Sequence, residues 1–72
     1  MTTSPRVKIN PEVLRWAREW YNMSEDAVAR KMTSKSVTGK TIEAWETGEK
    51  QPTYTQLKKL AAILEKPLEI FL

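Results

Sequence analysis

Apolar residues recur at three- and four-residue spacing along most of this chain, and they alternate with polar ones nowhere long enough to make a strand. At helical periodicity, Val13, Ala17 and Trp20 fall on one line, with Leu14 and Tyr21 on one flank and Trp16 on the other. Glu12, Arg15, Arg18, Glu19 and Asn22 fill the opposite side. The pattern predicts an amphipathic helix over 11–21, capped by Asn10 and begun by Pro11, whose missing N–H costs nothing at the first helical position. Ser24 can cap a second helix over 25–32, with Glu25 and Asp26 where the positive helix end favours acids and Ala27, Val28 and Met32 turned inward. The polar segment TSKS (33–36) reads as a turn.

A third helix over 39–47 follows, capped by Thr38, with Val37 and Ile42 spaced for a hydrophobic staple. Gly48 stands where a left-handed C-terminal residue is wanted, and Pro52 prevents continuation. TYTQ (53–56) is a capping box in which Gln56 can reach back to the N–H of Thr53. Leu57, Leu60, Ala61 and Leu64 then recur on one face, with Lys58, Lys59 and Glu65 outward. Pro67 ends that helix or opens a last turn, in which Leu68, Phe71 and Leu72 are expected inward. The sum is an all-α, compact five-helix bundle, with residues 1–9 a loose arm and 10–72 the folded domain.

Composition narrows what such a bundle can do. The chain has 72 residues, 40% of them apolar, enough for one small domain. Cysteine and histidine are both absent, which removes disulfides, the usual zinc ligands and the usual general base, so no metal, cofactor or catalytic residue is expected. Glu43 and Glu46 lie on a helix without a pocket and do not suggest acid–base catalysis. No apolar run nears a membrane span and no secretory leader is evident, which fits a cytoplasmic protein. All three tryptophans lie within apolar arcs and are expected in the core.

The net charge of +3 is localised. Residues 30–40 carry Arg30, Lys31, Lys35 and Lys40 and no acid, while the rest of the chain carries eight basic and nine acidic residues. This basic run overlies the turn between the second and third helices. An α-helix fits the major groove, and in a helix-turn-helix pair the second helix presents its N-terminal residues to base edges.

The spacing T-I-x-x-W-E-x-G-x-x-x-P-T-x-x-Q-L-x-K-L-A, here TIEAWETGEKQPTYTQLKKLA, resembles the phage-repressor (lambda-repressor-like, xenobiotic-response-element) helix-turn-helix family. PEVLRWARE and KPLEIFL are similar to a subgroup in which the domain precedes a zinc metallopeptidase of the phage-immunity and radiation-response regulator type, so the chain resembles a portion of a longer protein or a stand-alone relative of that portion. The resemblance implies a transcriptional regulator that binds double-stranded DNA; because a single small module binds weakly, pairing as a homodimer on a two-fold operator is expected. Thr38 would touch a phosphate; Gly39, Lys40 and Thr41 would lie at the leading end of the recognition helix, with Ala44 one turn later on the groove side. Lys50 and Gln51 would approach the DNA backbone; Lys35, on the charge of the basic run rather than on the resemblance, is a further candidate DNA contact. Arg18 and Glu46 match a partly buried ion pair joining the first and third helices.

The reading edge is sparse, because Gly39 and Ala44 offer bases little beyond shape or a thymine-methyl contact. Glu25 would repel a phosphate, and five residues separate Met32 from Thr38, more than the family's tight turn. The alternative is a protein-interaction domain on the same scaffold, docking to a toxin or to the attached peptidase.

Overall fold

The computed structural model describes residues 5–72. Four α-helices run in order, α1 (Pro11–Trp20), α2 (Glu25–Met32), α3 (Gly39–Thr47) and α4 (Tyr54–Ile63), followed by a 3₁₀ turn at Leu68–Phe71. The expected fifth helix is therefore a single 3₁₀ turn: Pro67 enters it in an extended conformation and only four residues remain to wind.

Local chemistry accounts for the helix ends. The Asn10 carboxamide oxygen accepts from the Glu12 N–H at 3.1 Å, and Ser24 Oγ accepts from the Ala27 N–H at 3.0 Å. Thr53 and Gln56 close a reciprocal capping box, at 2.8 Å and 3.1 Å. At Thr38 the bond runs from its own N–H to Thr41 Oγ1, 3.1 Å away. Gly48 ends α3 with φ 82°, a conformation that glycine adopts without strain. Asn22, Thr33 and Glu65 take the equivalent left-handed positions after α1, α2 and α4. Lys59, expected only as an outer-face residue, sends its Nζ to the Met32 carbonyl at 3.3 Å, placing a cation at the negative end of α2.

The core joins Leu14 and Ala17 of α1, Val28 and Met32 of α2, Ile42 and Trp45 of α3, and Leu57 and Leu60 of α4. Phe71 closes it, fully buried, while its carbonyl accepts from the Asn10 N–H at 2.7 Å, so the last turn holds down the start of α1. Leu72, expected inward, is exposed.

Two further expectations do not hold. Residues 5–9 are not a loose arm. The Val7 N–H donates to the Pro52 carbonyl and the Tyr54 N–H to the Pro5 carbonyl, both at 2.9 Å, and Ile9 is 3% exposed within the core. An extended segment without periodicity gives no local sign that it docks. Residues 1–4 of the expected arm lie outside the described residues.

Nor do all three tryptophans enter the core. Trp45 does, at 1% exposure, but Trp16 and Trp20 are 50% and 66% exposed. The buried line of α1 runs through Leu14 and Ala17 toward Arg18, because Arg18 turns in to meet α3. That roll carries the two tryptophans to the outer flank.

Candidate nucleic-acid interface

Helices α2 and α3 pack most extensively on each other, joined by residues 33–38, with Thr33 left-handed and the Val37 N–H bonded to the Ser34 carbonyl at 3.1 Å. Val37 and Ile42 are both buried, which anchors the entry to α3. Ile42 and Trp45 face the core, leaving Lys40, Glu43 and Thr47 as the exposed face of α3.

The orientation of α3 is secured by Arg18. Its guanidinium grips Glu46 through two bonds, Nε–Oε2 at 2.5 Å and Nη2–Oε1 at 3.0 Å, and its third nitrogen donates to the Met23 carbonyl at 2.8 Å. The two side chains are 11% and 5% exposed. The hydrogen bond to Glu46 raises the Arg18 pKa above its ordinary value, against the opposing effect of burial. A bidentate pair of this kind fixes direction as well as distance.

The sequence-predicted contact residues are distributed unevenly about α3. Lys35, Thr38 and Lys40 are exposed at its leading end, and Lys50 is exposed just after it. Arg30 and Lys35 border a groove whose other wall includes Thr38 and Gly39. Thr41 is half-buried, its hydroxyl engaged by the Thr38 N–H. Ala44, expected on the groove side, is only 8% exposed, so it presents almost nothing to a ligand. The helix is rolled so that Glu43 and Thr47, rather than Ala44, continue the line of Lys40. Gln51 is half-buried and its carboxamide oxygen accepts from the Ile9 N–H at 3.1 Å. Its backbone carbonyl accepts from Arg6 Nη1 at 2.7 Å. Gln51 thus acts as a latch for the N-terminal segment.

Gly39 has a tertiary cause. A Cβ at that position would lie 2.0 Å from Asp26 Oδ1 and 3.0 Å from Asp26 Cγ, so the Asp26 side chain would have to move for any larger residue. The carboxylate occupies the first turn of α3, where the helix dipole favours negative charge. With Glu25 and Glu43 beside Ser24, Gly39 and Lys40, it makes the leading end of α3 a surface of mixed sign. Sequence reasoning identified the repulsion of Glu25 but not the place of Asp26, for which no local signal exists.

A family model for helix-turn-helix proteins matches residues 14–71. The chain belongs to the helix-turn-helix family. The match spans α2, the turn and α3 together with most of α1, all of α4 and the final 3₁₀ turn. Comparison with curated proteins and with solved structures found no match. This helix-turn-helix domain is of the lambda-repressor-like, DNA-binding kind, and the family is not an enzymatic one. Among the described residues no helix is long and apolar enough to cross a membrane.

Proposed function

We propose that this helix-turn-helix domain regulates transcription by placing α3 in the major groove of duplex DNA. The observation that carries the reading is the exposed line Lys40–Glu43–Thr47 on α3, flanked by exposed Lys35 before the helix and Lys50 after it. Lys40 suits the O6 and N7 acceptors of guanine, and Glu43 suits the amino group of cytosine, so the helix would favour a G·C-containing step. Lys35, Lys50 and the exposed Thr38 hydroxyl would contact phosphates and set register without reading sequence. Ala44 and the Gln51 carboxamide have no part in this arrangement. Two copies on a two-fold operator would compensate for the few base contacts each makes.

The test is titration of isotope-labelled protein with a mixed-sequence duplex, followed by backbone amide shifts across a salt series. Shifts should cluster at residues 35–43 and at Lys50 and should fade with salt. Two lysine–phosphate contacts per protomer imply a log–log salt slope of about −1.8. Lys40→Ala should weaken binding while leaving the melting temperature unchanged. If Lys40→Ala and Lys35→Ala both bind duplex as tightly as the parent, this face is not the reading face.

A further inference from the structure

Three aromatic rings on the outer flank of α1 converge on one ammonium group. Trp16 and Trp20 stand one turn apart with ring centroids 5.8 Å from each other and planes inclined by 36°. Tyr21 follows directly at the helix end. Lys66 Nζ lies 5.3 Å from the Trp16 centroid, 5.5 Å from that of Trp20 and 5.8 Å from that of Tyr21. Lys66 comes from the segment between left-handed Glu65 and Pro67, held by its N–H on the Ala61 carbonyl at 3.0 Å. Among the described residues no carboxylate lies within ion-pair distance of its ammonium. The rings are therefore its partners, and all three are substantially open to solvent.

We propose that Trp16, Trp20 and Tyr21 form a binding box for N-methylated ammonium head groups, with Lys66 as a tethered occupant that the ligand displaces. Ring faces attract cations through their quadrupoles, and several rings around one charge suit a quaternary ammonium in particular. A primary ammonium is compact and strongly hydrated, so it loses water-facing hydrogen bonds when it lies against rings. A methylated ammonium has few or none to lose and offers more surface to the aromatic faces. Lys66 holds the place because its tether gives it a high effective concentration. The box is built from α1 and the segment after α4, not from α3, so the proposal does not rest on the DNA-binding reading.

Tryptophan indole N–H signals provide the test, since Trp16 and Trp20 are in the box and Trp45 is buried elsewhere. Titration with tetramethylammonium chloride should shift the Trp16 and Trp20 signals saturably and leave Trp45 in place, while sodium chloride at equal ionic strength should not. Lys66→Ala should tighten binding about threefold or more by removing the competitor. Trp16→Ala and Trp20→Ala should each weaken it about two- to fivefold. Both positions are exposed, and a circular dichroism melt would confirm that those variants fold. A second titration compares choline with a trimethyl-lysine peptide and its unmethylated form. Tighter binding of the trimethylated peptide would assign a methylated side chain as the source, and equal binding of choline would assign the head group alone; either supports the box. Absence of saturable Trp16 and Trp20 shifts in both the parent and Lys66→Ala would overturn the proposal.

Discussion

Glu46→Ala removes the carboxylate that holds α3 against α1 and leaves the Arg18 guanidinium largely enclosed. Losing one member of a buried pair costs about 3–5 kcal/mol, chiefly because the remaining charge is stranded. Arg18 keeps its bond to the Met23 carbonyl and remains 11% exposed, which places the expected loss near the lower end, about 3 kcal/mol. A domain of this size has a total stability of roughly 4–11 kcal/mol, so the variant should lose a large fraction of it. The melting temperature should fall by about 12–24 °C.

Thermal and urea melts followed by far-ultraviolet circular dichroism would measure the loss. The double variant Arg18→Met/Glu46→Leu should recover most of it, since well-packed apolar side chains can replace a buried pair at little cost. The pH response is also defined. A group whose folded pKa is raised contributes stability below its unfolded value and loses it as pH rises through the folded value. For Arg18 both values are strongly alkaline, so its contribution to stability should be constant between about pH 7 and 10. A loss below about 1 kcal/mol for Glu46→Ala would place the pair with exposed surface ion pairs and refute the reasoning. So would a double variant no more stable than the single one.

Other perturbations probe the remaining contacts. Ile9→Ala should cost about 2–4 kcal/mol in a urea melt, although the residue lies in an extended segment, because its side chain is in the core. Thr33→Gly should shift the melting temperature by no more than a few degrees, as relief of the left-handed strain of about 1–2 kcal/mol is offset by glycine's entropic cost of about 0.5–1 kcal/mol and by loss of the Thr33 hydroxyl's bond to the Met32 carbonyl at 2.6 Å, worth about 0.5–1.5 kcal/mol. Partial burial and the neighbouring Glu65 carboxylate raise the Tyr21 pKa, so its absorbance titration should centre above the ordinary value of 10.0. The contribution of that shift to stability is present below this pH and declines as pH rises through it. Glu65→Gln should bring the midpoint part of the way back. Asp26→Asn should strengthen duplex binding at low salt and have little effect at high salt, because it removes a carboxylate beside the leading end of α3.

The sequence by itself determined where the four α-helices begin, where α3 ends, and which face of α2 and α4 turns inward. Asn10 with Pro11, Ser24, Thr53 with Gln56, and Gly48 act on backbone groups only a few residues away, so their chemistry can be read from neighbours. The basic run over the α2–α3 turn and the spacing from Thr41 to Ala61 were equally legible, and with them the helix-turn-helix family.

Tertiary structure decided the remainder. Gln51 latches the N-terminal segment because Ile9 and Arg6 dock against it from 42 and 45 residues away. Arg18 reaches Glu46 across 28 residues, and the resulting roll of α1 put Trp16 and Trp20 outside, where Lys66 meets them. Gly39 lies under the Asp26 carboxylate, and Ala44 is buried while Glu43 faces out. Helical periodicity shows that a helix has an apolar side, but its rotation about its own axis is set by the partners it meets. A difference of one residue position around α1 or α3 separates a core side chain from a binding one, and only contacts distant in sequence resolve it.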